Sequence, residues 1–482
     1  MNCISPLPNT KPKCLLTIIF FNLNNNGVVK ITEYDAVIIG SGPAGYTCAI
    51  RVSQLGGKAA VIEKDLTGGI CTNWGCIPTK AMITSAKIVD TIKKSSRFGI
   101  DVKDFEIDFK KITKHRDRTV KISRKGIETL LKKNDVDLIH GQGKIISDNE
   151  VKVDDKTIKA KNIVVATGSS PIIPGFIKLG EDILSSKELL QIKEIPEKLI
   201  IVGGGVIGLE FATLFSILGS EVTIVEMMER LLVNADPEIS KELEKAYSRK
   251  KINIFTKHKV LSAKSNSVEI EDMTEGKKLT LKADKILVAI GRRANVDKEE
   301  MENNSIKYSK TGIKVDNHMR TNKKNIYAIG DITGKSILAH VGIQQAVVAA
   351  ENIMGKNTKM NYVVPACIYT IPEVAEVGAN ETEVDDTKVG KFPMIVNARA
   401  RGEGHTTGFI KVVIKDDLLV GCQMIGHNVT ELISEAAVII KNKISCKEIL
   451  KTIHPHPTYA ESIKGAIEDA YKEAIDLMPK KN

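Results

Sequence analysis

Asp35-Ala36-Val37-Ile38-Ile39-Gly40-Ser41-Gly42-Pro43-Ala44-Gly45 is the stretch on which the fold turns. After Asp35, the run 35–39 is apolar and mostly β-branched, which predicts a buried strand. The run enters a G-x-G-x-x-G turn without a break. Residues 46–55 then predict a helix, and 58–62 the next strand, closed by Glu63. Strand, glycine turn, helix, strand and terminal acid make a dinucleotide-binding unit. Gly40 permits the tight turn and Gly42 lets the backbone approach a pyrophosphate. Gly45 allows close packing of helix on strand, and Glu63 can accept a ribose hydroxyl.

The unit recurs. Residues 198–202 lead into Gly203-Gly204-Gly205-Val206-Ile207-Gly208, a helix over 209–218, and a strand over 221–225 that ends at Glu226. From the third glycine to the acid is 18 residues in both copies. A single glycine turn is commonly structural, but two with matched spacing predict either two bound dinucleotides or one dinucleotide and a flavin. A carboxylate at position 226 repels a 2′-phosphate and so favours NAD over NADP, although Arg230 argues the other way.

Between the two units lies Gly68-Gly69-Ile70-Cys71-Thr72-Asn73-Trp74-Gly75-Cys76-Ile77-Pro78-Thr79-Lys80. Residues 79–91 predict a helix, so Cys76 sits near a helix N-terminus, where a thiolate is stabilised. The alternatives are a metal site or two idle thiols. A structural zinc site needs four ligands and there is no second closely spaced cysteine pair, so no metal is expected. A redox-active disulfide fits best. Cys48, Cys367, Cys422 and Cys446 receive no role, and Trp74, the only Trp, is expected to pack.

Composition excludes other classes. The 482 residues are 42% hydrophobic and 27% charged, an ordinary globular balance. Eight cysteines are too few for a disulfide scaffold. The net charge of +11 is carried mainly by lysine, with only twelve arginines, and aromatics are 4%. A solvated surface therefore outweighs nucleic-acid binding. The lysine-rich stretch 110–133 predicts one long solvated helix. The longest apolar run, 15–21, is too short to span a membrane.

Further motifs follow in order. They are Ala166-Thr167-Gly168-Ser169, Ala289-Ile290-Gly291-Arg292, Tyr327-Ala328-Ile329-Gly330-Asp331 and Leu338-Ala339-His340. Tyr369-Thr370-Ile371-Pro372-Glu373-Val374-Ala375 and His454-Pro455-His456-Pro457-Thr458-Tyr459-Ala460-Glu461 complete the series. With the cysteine segment, these motifs make the chain resemble the FAD-dependent pyridine nucleotide–disulfide oxidoreductases from about Tyr34 onward. The resemblance implies an α/β fold with two Rossmann-like domains, for FAD and for NAD, the second inserted in the first. A C-terminal α+β dimerisation domain follows.

The resemblance also implies roles. Cys76 faces the flavin and Cys71 exchanges with substrate. Lys80 lies near the flavin with Glu210 as its ion-pair partner, and Asp331 bonds the ribityl chain. Gly143, Thr167, Gly168, Ser169, Leu338, Ala339 and His340 line the FAD site. Val260 and Gly291 join Gly203, Gly205, Gly208 and Glu226 at the NAD site. His456, oriented by Glu461, is the base and acts on the cysteines of a second subunit, which implies a homodimer; His454 is out of register. A histidine with a carboxylate partner suits proton transfer to and from thiols. Pro455 stands where the family usually has Ala.

The implied activity is oxidation of a protein-bound dihydrolipoyl group with reduction of NAD+. The partner would be a lipoyl-bearing protein of a 2-oxoacid dehydrogenase or glycine-cleavage complex, in the cytoplasm. The alternatives are a glutathione-type or related disulfide reductase and a non-catalytic flavin-binding subunit. The expected domains are FAD at 33–160 and 285–352, NAD at 161–284 and dimerisation at 353–482. Residues 1–32 are expected to be an unstructured or non-native extension.

Overall fold

The computed structural model describes residues 33–478. The expectation for residues 1–32 lies outside them. Apolar β-branched runs build two parallel sheets, each carrying one glycine unit at its centre. In the first, strand Glu33–Ile39 lies between Ala59–Glu63 and Lys156–Val165, with Asp137–His140 beyond Ala59–Glu63. Ile326–Ala328 also pairs with Lys156–Val165, in parallel. The antiparallel pair Gly143–Ser147 and Glu150–Val153 completes this sheet. In the second sheet, Lys198–Val202 lies between Glu221–Val225 and Lys285–Val288. Asn253–Phe255 and Ile183–Leu184 flank them, all parallel. Ligands of such sheets bind beyond the carboxyl ends of the strands, where both glycine turns sit.

The chain leaves the first sheet after Val165 and re-enters it at Ile326. The break expected at 160/161 falls inside strand Lys156–Val165, which carries no glycine or proline to mark an end. The break expected at 284/285 falls just before Lys285–Val288, which belongs to the second sheet.

The helices begin earlier than the apolar pattern predicts. They span Pro43–Gln54 and Val206–Leu218, capped by Gly42 and Gly205, so the turn itself supplies the first helical residues. Proline at the first position is already set to a helical φ. The long lysine-rich helix is Phe109–Lys133, with Asp108 accepting from the Lys111 N–H. It turns one cation inward: Arg116 is buried and donates to the Leu190 carbonyl.

Residues beyond the first two sheets form an antiparallel sheet in the order Ala366–Ile368, Glu373–Gly378, Leu418–Gly426, Phe409–Lys415, Lys388–Pro393. Helices Val429–Asn442 and Glu461–Tyr471 pack against it. An apolar cluster joins it to the second sheet's domain, and a buried ion pair adds to that contact. Lys411 and Asp236 are each 1% exposed, and their charged atoms lie 2.5 Å apart, with Glu238 at 3.1 Å from the Lys411 ammonium. Asp236 also caps helix Pro237–Arg249 through the Glu238 N–H.

Removing one partner of a buried pair strands the other charge, at a cost of about 3–5 kcal/mol. Lys411→Met is therefore expected to lower the melting temperature clearly. Adding Asp236→Asn, which keeps a capping side chain, should recover much of that loss. Differential scanning calorimetry of both variants reads this out, and an unchanged melt for Lys411→Met would show that the pair does not join these parts.

Candidate active site

The two glycine turns are near copies in their contacts. At Gly45 a Cβ would come within 1.8 Å of the Gly40 carbonyl, and at Gly208 within 2.2 Å of the Gly203 carbonyl. At Gly42 and Gly205 a Cβ would meet nothing within 4 Å. One glycine of each turn thus closes helix onto strand, and another leaves open space beside the helix N-terminus. That is the form a pyrophosphate cradle takes. The acids are held alike. Glu63 accepts from the Ser41 N–H at 2.9 Å, and Glu226 from the Gly204 N–H at 2.6 Å. Arg230 donates to the carbonyls of Val233 and Ala235, at 2.6 and 3.1 Å, so its guanidinium is already engaged with backbone.

A cavity of about 1660 Å³ opens at the first turn. Its walls include Gly40, Gly42, Glu63, Cys71, Cys76, Lys80, Gly143, Thr167, Gly168 and Ser169. Glu210, Asp331, Leu338, Ala339 and His340 also line it. This exceeds the ~300–1,000 Å³ of ordinary small-molecule sites and suits a dinucleotide-sized ligand. Asp331 accepts from the Ser169 hydroxyl at 2.5 Å, and Arg292 donates to that same hydroxyl at 2.8 Å. Gly203, Gly205, Gly208, Glu226, Val260 and Gly291 lie outside this wall, at the second sheet and its neighbours.

Cys71 lies on the short helix Gly69–Trp74, and Cys76 is the first residue of helix Cys76–Lys93, three residues before the start predicted from sequence. Both are thiols here. The Cys71 thiol hydrogen-bonds Cys76 and is itself driven upward, chiefly by that bond and then by burial. The Cys76 thiol is brought down to about 7, first by the bond from Cys71, against burial, with Lys80 assisting. Lys80 donates to both carboxylate oxygens of Glu210 at 2.7 Å and lies over the Tyr369 ring, 4.5 Å from its centroid. The Tyr369 N–H donates to Glu210 at 3.2 Å. Trp74 lines the cavity with the Lys187 ammonium 3.9 Å from its ring centroid.

His456 and Glu461 lie elsewhere. They are absent from the cavity wall among the described residues. His456 Nδ1 is 2.8 Å from Glu461 Oε1, and Glu461 Oε2 accepts from the Thr458 N–H at 2.7 Å. A carboxylate only accepts, so Nδ1 carries a proton and donates it to Glu461. The His456 side chain is 70% exposed. That of His454 is 7% exposed, and its ring nitrogens face the Glu435 carboxylate and the Thr452 carbonyl.

The family model described as pyridine nucleotide-disulphide oxidoreductase matches residues 34–352, and that family's dimerisation domain matches 364–467. The chain belongs to the pyridine nucleotide-disulphide oxidoreductases. It is 41% identical to the dihydrolipoyl dehydrogenase of Chlamydia muridarum, over 89% of this chain and 95% of that one. To that of Bacillus subtilis it is 37% identical, over 92% and 99%. Among solved structures it matches LpdA of Mycobacterium tuberculosis at a TM-score of 0.83 and 27% identity, over 91% and 99%. FAD and NAD are the cofactors of this oxidoreductase family, and the cavity and the paired glycine turns fit them.

Sequence reasoning quoted Arg292 only as part of a motif and passed over Ser41 and Lys187. Arg292 is half-buried, and partial burial pulls it below its ordinary value against the opposing pull of Asp331 and Cys76. The only signal for it was the charged residue ending Ala289-Ile290-Gly291-Arg292.

The Cys76 thiol is held down to about 7, so its thiolate fraction should rise through neutral pH. Cys71→Ala removes the largest cause of that lowering. The alkylation rate of Cys76 by iodoacetamide at pH 7 is then expected to fall roughly tenfold or more, with its midpoint moved to higher pH. A pH–rate profile of the reduced enzyme checks this.

Proposed function

We propose that this protein is a dihydrolipoyl dehydrogenase, which oxidises a protein-bound dihydrolipoyl group to its disulfide and passes the electron pair to NAD+. The observation that carries the reading is the division of labour in the site. The thiol pair, Lys80 and Glu210 share one cavity, while His456, its Nδ1 held by the Glu461 carboxylate, stands exposed on the dimerisation domain. A homodimer supplies what one chain separates, with His456 of a second copy reaching the cysteines of the first.

The bound flavin and nicotinamide supply the two-electron chemistry, and the residues manage thiols and protons. His456 Nε2 takes the proton of one dihydrolipoyl thiol. The resulting thiolate attacks Cys71 Sγ of the Cys71–Cys76 disulfide, and Cys76 leaves as thiolate. A lower thiol pKa makes a better leaving group, and in this step the Lys80 ammonium assists Cys76, since Cys71 has no proton to donate until it is released. The second dihydrolipoyl thiol attacks its partner sulfur in the mixed disulfide, closing the lipoyl disulfide and releasing Cys71, which takes up that thiol's proton. The site is left with a Cys71 thiol, a Cys76 thiolate and a protonated His456.

Glu226 and the engaged Arg230 support NAD over NADP. The lipoyl-bearing partner is a separate protein of a 2-oxoacid dehydrogenase or glycine-cleavage complex. No helix among the described residues is long and apolar enough to cross a membrane. The proposed location is the cytoplasm, where the other described cysteines, Cys48, Cys367, Cys422 and Cys446, would stay reduced.

NAD+ reduction by dihydrolipoamide should far exceed NADPH oxidation by glutathione disulfide, and activity only in the second assay would refute this reading. His456→Gln should lower the first activity by about 10²–10⁴-fold. Reduction of an artificial acceptor by NADH, which needs no thiol base, should be spared.

A further inference from the structure

Outside the redox cavity, the described residues hold one cluster of potential metal-ligating side chains. One ligand atom from each of Glu403, His405 and His427 lies within 4.8 Å of the others. Three fixed pieces of backbone present them. Glu403 ends helix Ala398–Glu403, His405 follows Gly404, whose φ of +68° ends that helix, and His427 follows strand Leu418–Gly426. The two imidazoles stack at 3.8 Å between centroids and 11° between planes. Tyr459 closes the cluster. Its ring lies 5.6 Å from that of His427, and its hydroxyl donates to Glu403 Oε2 at 2.9 Å. None of the three lines the redox cavity.

The chemistry of this set is specific. Two imidazoles and one carboxylate are the ligands that zinc and copper(II) prefer, whereas magnesium and calcium take oxygen. All three side chains are partly exposed, so an ion can reach them. Neighbouring charges divide. Glu403 and Glu373 favour a cation; Arg97 and Lys94 beside His405, and Lys87 near His427, oppose one. Arg399 pairs with the other oxygen of Glu403. Tetrahedral zinc with bonds of ~2.0–2.1 Å needs its ligand atoms about 3.3 Å apart. Binding therefore turns the rings out of their parallel stack and draws one Glu403 oxygen inward.

We propose that Glu403, His405 and His427 form a binding site for one divalent transition-metal ion of the zinc and copper class. It lies against Tyr459, three residues from His456, and is separate from the redox cysteines. The test uses oxidised holoenzyme, whose closed disulfide offers no thiolate to compete. Copper(II) titrated into it should bind at one equivalent per protomer. The electron paramagnetic resonance spectrum should show hyperfine coupling to two imidazole nitrogens. Zinc should displace the copper only in excess, as the usual order of divalent affinities requires. His405→Gln and His427→Gln should each remove one nitrogen coupling and weaken binding at least tenfold, with flavin absorbance intact. The double variant Cys71→Ser/Cys76→Ser, which has neither redox thiol, should leave the copper spectrum unchanged. The wild-type spectrum is decisive without any variant: no stoichiometric uptake, or a signal without two nitrogens, overturns the proposal. A two-nitrogen signal that survives in His405→Gln and His427→Gln overturns it equally.

Discussion

Three parts of the chain, each with its own sheet, meet at one buried carboxylate. Glu210 is 4% exposed and comes from the helix that follows the second glycine turn. Its partners are Lys80, from the helix that begins at Cys76, and the Tyr369 N–H, from the segment leading into the third sheet. A carboxylate so placed would cost several kcal/mol without compensation. The three parts must therefore converge for the charge to be tolerated. The same contact fixes Lys80, whose ammonium helps to lower the Cys76 thiol. Domain assembly and thiol chemistry thus depend on one ion pair.

That dependence explains which parts of the molecule were legible in its sequence. The glycine turns are local. Their meaning is contained in a strand, three glycines, a helix and an acid at fixed spacing, and the two copies adopt matching contacts around Gly40–Gly45 and Gly203–Gly208. Cys71 and Cys76 are likewise neighbours in the chain. What the residues alone could not yield were contacts between distant segments. Lys411 reads as one more lysine in a strand, and only the fold shows it buried against Asp236. Arg116 reads as part of a solvated helix face until it is seen turned into the protein. The break expected near residue 160 meets strand Lys156–Val165, which changes partners part-way along. Its first half pairs antiparallel with Glu150–Val153, and its last residues pair in parallel with Ile326–Ala328. No residue in the run announces that change.

The two histidines near the carboxyl end show how a weak pattern becomes a sharp distinction in three dimensions. His454 and His456 differ by one intervening proline. The His454 side chain is buried, and an oxygen faces each of its ring nitrogens. His456 has one nitrogen committed to Glu461 and the other directed outward, the state a proton acceptor requires. The carboxylate is fixed in turn by the Thr458 N–H at the start of its helix. The imidazole is therefore oriented by backbone within its own domain, and that orientation does not wait for substrate.

Separating base from thiols has a consequence for control of the chemistry. Within one chain, Cys76 is lowered by Cys71 and Lys80, so the reduced site holds its thiolate without any help from His456. In the proposed mechanism the histidine is needed only while a substrate thiol must lose its proton. A base confined to the exchange step can be supplied from another copy, because the thiolate pair is already settled before that copy contributes. On that mechanism, electron passage between the cofactors and the thiols belongs to each chain, and thiol exchange belongs to the dimer.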